Sequence, residues 1–429
     1  MKIPPRLVTS LGLAIAVANL AMTAQAAGWA YSIGNGSFSN TLVTAINDSH
    51  VAVGRAEGTN FITRAVYDTT AGGATALPSL FASASGVQAS CTADAVNNAP
   101  LSTAVAIGTC EDANEVGQGV KWNLNNPSAA PVQLQPLPIL AALHLVADVE
   151  TEPVAVNQAG IVVGNSISPT GVTSPVYWSA AGAANLLQPP LLGSVDNCNV
   201  VDINDAAIPS VIGNCPAGVG GQGKNLAVLW TTLPSSFTVL QLPSGASYCE
   251  TSVINAIGQI LGTCYYTGTG SGTPGVYKTV QWPAGGTSAP AVMTTINGST
   301  SLRNSGVAMN ASGQITGNRV KAGGLTGPFV WDPATGTNGI PIPLLSGSSQ
   351  AVAKAISNNG IVVGCGEVNG ESEAFAYHIT GATLIPITSL GAGGNDCADA
   401  ISPNGAYTAG ISEDASVSQQ GDGVVANTP

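Results

Sequence analysis

Three side-chain groups in this chain have types and spacings that can do chemistry. Carboxylates cluster twice, as Glu367, Glu371 and Glu373 and as Glu111, Asp112 and Glu115. Two such groups facing each other at about 5–10 Å can serve as acid and base in glycoside cleavage. Several together can hold Ca²⁺ through oxygen ligands, although no EF-hand or calcium nonapeptide is present. The preferred reading of the same clusters is as solvated loops that supply net charge. Tyr265, Tyr266 and Tyr277 stand among small polar residues in CYYTGTGSGTPGVY at 264–277, a composition suited to stacking on a sugar or peptide, or to packing inside the fold. The third group is eight cysteines. None forms a C-x-x-C pair, so metal or redox chemistry is disfavoured.

The usual catalytic signatures are missing. There is no H-E-x-x-H, G-x-S-x-G, Walker loop or Rossmann fingerprint. The three histidines, His50, His144 and His378, fall in a turn, an apolar linker and a strand end. The glycine-rich stretches at 218–223 and 391–394 do not lie between a strand and a helix, as phosphate cradling requires. Cofactors are therefore not expected, Ca²⁺ apart.

The elements that position these residues follow from a repeat. An apolar-apolar-Asn phrase, a short turn often containing Gly, and an apolar triplet ending in Gly recur eight times, as in AVNQAGIVVG at 155–164 and VINAIGQILG at 253–262. The closing glycines are Gly54, Gly108, Gly164, Gly213, Gly262, Gly317, Gly364 and Gly410, spaced by 46 to 56 residues. A strand ending in an aromatic follows seven of the copies, to Trp122, Trp178, Trp230, Trp282 and Trp331, with Tyr67 and Tyr377 as weaker members. A Leu/Pro phrase comes next, such as TVLQLP or IPIPLL.

One unit thus reads as four short strands. Asn caps its own hairpin turn through its side chain and Gly accepts positive φ. The Pro-containing fourth strand belongs at an edge, because proline cannot donate to a ladder. Four strands per fifty residues, repeated, predict an all-β β-propeller, in which stacked blades bury both sheet faces and one aromatic per unit fills the gap between them. The segment at 28–42 resembles the third and fourth phrases, and the last copy has only the first two. The two ends are expected to complete one blade, giving eight. An open solenoid is the competing geometry, but it requires polar caps rather than complementary ends.

Within this frame the cysteines pair. Cys91, Cys198 and Cys249 each precede the repeat Asn by six residues, and Cys110, Cys215 and Cys264 each follow the closing Gly by two. The expected bonds are Cys91–Cys110, Cys198–Cys215 and Cys249–Cys264 across single hairpins. Cys365 and Cys397 are each displaced by one position, which turns them to the other sheet face and predicts a bridge between neighbouring blades.

The phrases G-x-V-V-G, the strand with its terminal aromatic and the Leu-Pro edge resemble the extracellular HAF repeat family, named for His-Ala-Phe. The resemblance spans about 45–410; Ala374-Phe375 keeps the Ala-Phe pair, while no copy shows the His. It implies bacterial export and a propeller-like fold, and it implies no catalytic residues.

Composition bounds the setting. The 429 residues are 45% hydrophobic and only 8% charged, with a net charge of −12. An acidic chain without basic clusters argues against nucleic acid and against anionic lipid. Residues 1–26 read as a signal peptide: Lys2 and Arg6, an apolar run from Leu7 to Ala21, then Ala24-Gln25-Ala26. The expected product is a single repeat domain, 27–429, secreted or periplasmic, with no integral membrane segment after cleavage and with disulfides permitted. Its expected role is that of a non-enzymatic binding or surface-interaction module for a glycan or protein. The alternatives are a carbohydrate-active hydrolase or lyase using loop carboxylates, and a structural envelope component. Strand two-to-three connections vary most and share one face with the blade-to-blade links, so binding residues are expected there.

Overall fold

The computed structural model describes residues 27–28, 31–32, 39–58, 62–69, 73–81, 89–112, 114–138, 146–190, 197–217, 224–268, 275–300, 303–389, 394–414 and 420–429. The expected signal peptide, His144 and the glycine run at 218–223 lie outside them, as does 391–394 apart from Gly394.

Period-two alternation and β-branched side chains make each repeat a four-stranded antiparallel sheet. Blade one comprises Ser39–Ile46, Ala52–Glu57, Thr63–Asp68 and Thr75–Ala76; blade two comprises Cys91–Val96, Val105–Glu111, Gly117–Asn123 and Val132–Gln133. Blade three comprises Glu150–Val156, Val162–Ile167, Thr173–Trp178 and Ala184–Leu186; blade four comprises Asn199–Ile203, Val211–Pro216, Asn225–Thr232 and Ser236–Val239. Blade five comprises Tyr248–Ile254, Ile260–Tyr266, Val276–Trp282 and Ala291–Val292; blade six comprises Asn304–Met309, Ile315–Val320, Thr326–Trp331 and Asn338–Pro341. Blade seven comprises Ser348–Ile356, Ile361–Val368, Glu371–His378 and Thr383–Thr388.

Blade eight takes Asp396–Ile401, Tyr407–Asp414 and Gln420–Asn427 from the C-terminal end, and Tyr31–Ser32 from the N-terminal end as its outer strand. The first strands touch one another in an unbroken ring, that of blade one closing on that of blade eight. The chain is an eight-bladed β-propeller. Among the described residues no helix is long and apolar enough to cross a membrane.

The shared blade is composed differently from the expectation. The C-terminal end supplies three strands, because GDGVVAN pairs as a third strand without any aromatic: Val424 lies opposite Gly410, as Val120 lies opposite Gly108. Residues 39–46 form the first strand of blade one instead of an outer strand. Two blades also gain a fifth strand, paired in parallel: Ala27–Gly28 on blade seven and Thr295–Ile296 on blade six.

The closing glycines have a cause the repeat phrase did not reveal. Every first strand carries a β-bulge three residues before the repeat Asn or Ser, and each closing Gly sits opposite the residue preceding it, as Gly262 pairs Thr251 and Gly54 pairs Val43. A Cβ on Gly262 would lie 2.2 Å from the Glu250 carbonyl oxygen and 2.7 Å from the Trp282 ring. No other residue fits.

Between blades, the tryptophans behave as expected. Trp122, Trp178, Trp230, Trp282 and Trp331 are at most 2% exposed. The Nε1–H of Trp122, Trp178, Trp230 and Trp282 donates to a carbonyl just after the preceding blade's outer strand, at 2.7–2.9 Å. Trp331 donates within its own blade to Gly336, where the added strand has rerouted the linker. In blade one the register puts buried Asp68, not Tyr67, at the tryptophan position, since Asp68 pairs Ala52 as Trp178 pairs Val162. Tyr67 points to the other face.

The four disulfides are Cys91–Cys110, Cys198–Cys215, Cys249–Cys264 and Cys365–Cys397. The first three close single hairpins and the last joins blade seven to blade eight. Blades one, three and six place Thr41, Thr151 and Asn304 at the position of the first cysteine. Each accepts a hydrogen bond from the preceding blade's third strand: from Gly423 N at 2.6 Å, Gly119 N at 2.7 Å and Thr279 N at 2.8 Å. A single register position therefore either bridges its own hairpin or ties its blade to the previous one.

Candidate functional site

The two faces of the ring are built differently. On the hairpin face, the repeat Asn caps its turn as predicted: Asn47 Oδ1 accepts from Ser49 N and Val51 N, and Asn255 Oδ1 accepts from Gln259 N. Its amide does something further. Asn47 Nδ2 donates to Asn97 O of the next blade at 3.0 Å, and Asn97, Asn157, Asn255 and Asn310 repeat the link at 3.1–3.4 Å. Asp48 closes the ring, since its Oδ1 accepts from Asn404 N of blade eight at 2.7 Å and its Oδ2 from Asn98 Nδ2 of blade two at 2.8 Å. These groups are committed to holding blades together.

Among the described residues, the opposite face, carrying the strand two-to-three loops and the blade links, holds clefts between blades five and six, six and seven, and seven and eight. The cleft between blades five and six measures about 390 Å³ and is lined by Glu250, Ser252, Thr263, Tyr277, Arg303 and Ser305. Between blades six and seven a cleft of about 400 Å³ is lined by Thr326, Gln350, Val352, Glu367 and Ser372. Between blades seven and eight, about 300 Å³ is lined by Glu371, Glu373, Thr388, Ser389 and Asp396.

The three expected tyrosines do not act together. Tyr265 pairs in register with Tyr248 on one side and Tyr277 on the other, so all three point from blade five toward blade six. Their ring centroids are 5.3 and 5.0 Å apart, and the Tyr248 and Tyr277 hydroxyls meet at 3.5 Å. That hydrogen bond, with burial second, pushes Tyr248 up to about 12. The Arg303 guanidinium sits 4.7 Å above Tyr277. Ring faces in this ladder are largely taken by one another and by Arg303, leaving edges and hydroxyls for the cleft. Tyr266, one residue along the strand, turns to the blade-four side, packs on the core there and carries Lys278 at 4.8 Å over its ring. Burial raises its pKa.

The expected glutamate cluster also divides. Glu371 and Glu373 share a face of the third strand of blade seven, with Glu373 opposite Gly366 and Glu371 opposite Val368. Glu367 lies opposite Ser372, on the other face, and accepts from Gln350. The second cluster is structural in part: Asp112 Oδ1 caps its own turn through Asn114 N and Val116 N. Among the described residues no three of His, Cys, Asp and Glu converge to hold a metal ion. His50 stacks on Tyr407 of blade eight at 4.3 Å, with burial lowering its pKa, and His378 Nε2 lies 2.7 Å from the Pro429 carbonyl.

Sequence reasoning missed Tyr248, Gln350, Asp396 and Arg303. Aligning the repeats by their bulges exposes the last, because Arg303 stands seven residues before Asn310, where Gln350 stands before Ser357.

No protein-family model matches the chain, and no curated protein matches it. Solved structures do. The Dos1 propeller aligns at 10% identity over 93% of this chain and 95% of its own, with a TM-score of 0.53. The β-propeller domain of the Trilobed protease from Pyrococcus furiosus, reported to have an open velcro topology, aligns at 9% identity over 79% of this chain and 93% of its own, with a TM-score of 0.51. The likeness is one of fold.

Proposed function

We propose that the chain is an exported, non-enzymatic binding propeller that takes a glycan on its loop face, outside the cell or at its surface. The observation that carries this reading is the cleft between blades five and six. Hydroxyls of Ser252, Thr263, Ser305 and Tyr277, one carboxylate and one guanidinium line a concave site, and a sugar presents matching donors and acceptors. The four disulfides accord with an oxidising compartment. A propeller scaffold with standardised joints and diversified loops suits recognition.

A glycan-array screen of the full chain, run with Ca²⁺ and again with chelator, tests the reading. Saturable binding to one glycan class that Tyr277→Ala abolishes supports it, and loss with chelator assigns Ca²⁺ to the acidic loops. Silence across the array, with capture of a protein ligand instead, rejects it.

A second reading rests on Glu371, Glu373 and Asp396, which share the cleft between blades seven and eight. Two of these carboxyls acting as acid and base make the chain a carbohydrate hydrolase or lyase. Appearance of new reducing ends or unsaturated sugars, lost in Glu373→Gln, decides for it.

A further inference from the structure

The charges on the loop face are sorted by blade. All ten glutamates lie in its loops or within three residues of a strand end there, and nine of them belong to blades one, two, three, seven and eight. Most cations of this face fall elsewhere, Arg55 and Arg64 of blade one being the exceptions. Of the nine lysines and arginines after residue 26, five stand on this face of blades four to six: Lys224, Lys278, Arg303, Arg319 and Lys321. Among the described residues of that sector, Glu250 is the acidic one.

Arg319 adds a second observation. It follows the closing Gly317 by two residues, the register at which Cys264 packs toward the preceding blade, so it points at blade five. Its strand partner Asn304 is tied to blade five through Thr279 N. The Nε of Arg319 is buried and has no hydrogen-bond partner among the described residues. A buried charged donor without an acceptor is costly, and an anionic oxygen entering between these blades relieves that cost.

We infer that the cleft between blades five and six binds the acidic sugar of a glycan, one bearing a carboxylate or a sulfate. The inference rests on the glycan reading above and adds the charge of the ligand. Arg303 and the Arg319 side of the interface meet the anion, while Glu250 and the Ser and Thr hydroxyls meet sugar hydroxyls. A nucleic acid fits less well: its affinity comes from neutralising many phosphates, and this sector offers five cations on a chain of net charge −12.

Calorimetry on the full chain tests this with three hexasaccharides: an alginate uronate, a heparin fragment and a neutral dextran oligomer. At low salt, one charged hexamer should bind at least about tenfold tighter than the neutral one, and raised salt should weaken it. Tightest binding of the uronate assigns a carboxylate, and tightest binding of the heparin fragment a sulfate. Arg303 is exposed, so Arg303→Gln keeps the fold and should weaken the charged hexamer about tenfold, with Lys278→Gln as an independent reduction of the same field. Glu152→Gln, exposed in the acidic sector, should change affinity less than about twofold. Equal binding of the neutral hexamer, unchanged by Arg303→Gln, overturns the charge inference and leaves the glycan reading standing. Binding of polyglutamate where no glycan binds overturns both.

Discussion

The hairpin face and the loop face are made from the same eight repeats and have opposite properties. On the hairpin face one side chain recurs, the buried Asn, and where it is replaced by Ser357 or Ser402 the hydroxyl still caps the turn. On the loop face the positions that line the clefts do not recur: the place of Tyr277 is taken by Thr326 and Ser372 in the next two blades, and that of Arg303 by Gln350. The difference teaches where the chain is free to vary. Joints that join a blade to its neighbour are fixed by hydrogen bonds that have few substitutes, whereas strand ends that face solvent carry whatever a ligand demands.

Several substitutions break or sharpen that contrast. The largest effect belongs to the closing glycines, which sit under the bulge between the faces. Gly262→Ala drives a Cβ into the Glu250 carbonyl and should cost about 3 kcal/mol or more, read by urea unfolding. Trp230→Ala removes a fully buried inter-blade filler and its bond to Gln188 O, and should cost about 3–5 kcal/mol in the same assay.

A smaller, pH-dependent effect belongs to Asp202. It replaces the Ala or Val that other blades carry two residues before the repeat Asn or Ser. Its Oδ2 accepts from Ile254 N of blade five and its Oδ1 from Ile203 N. The residue keeps some contact with solvent, yet its carboxyl is enclosed, and desolvation pushes it from 3.8 up to about 7. The folded state then holds a proton that the unfolded chain releases, so stability is lost as pH rises from about 4 through about 7. Asp202→Asn should flatten this slope in unfolding measured between those limits, and an unchanged slope contradicts the assignment.

Much of this fold was legible in the sequence because it is periodic. The repeat Asn, the terminal tryptophan and the cysteine offsets gave the blade count, the inter-blade filler and all four disulfides. What escaped was aperiodic or relational. The third strand of blade eight lacks the aromatic that marks the others, and Asp68 took the tryptophan register one residue beyond Tyr67. The bulge went unseen because it is a property of two strands in register, and only its consequence, the glycine, shows in one phrase. The tyrosines and glutamates were found by composition, but alternation sent Tyr266 and Glu367 to the opposite faces of their strands. Arg303 was missed because a single basic residue has no local signal until the blades are superposed.

The central claim is that the hairpin face holds the ring while the loop face is left free for a ligand. The most direct measurement is urea unfolding of two matched sets: Asn47→Ala, Asn157→Ala and Asn255→Ala against Arg303→Gln, Gln350→Ala and Glu371→Ala. Each asparagine change should cost about 1–3 kcal/mol, because buried turn N–H groups and a neighbour's carbonyl lose their partner. Each loop-face change should stay within about 0.5 kcal/mol. Loop-face substitutions as damaging as the asparagine ones would contradict the division.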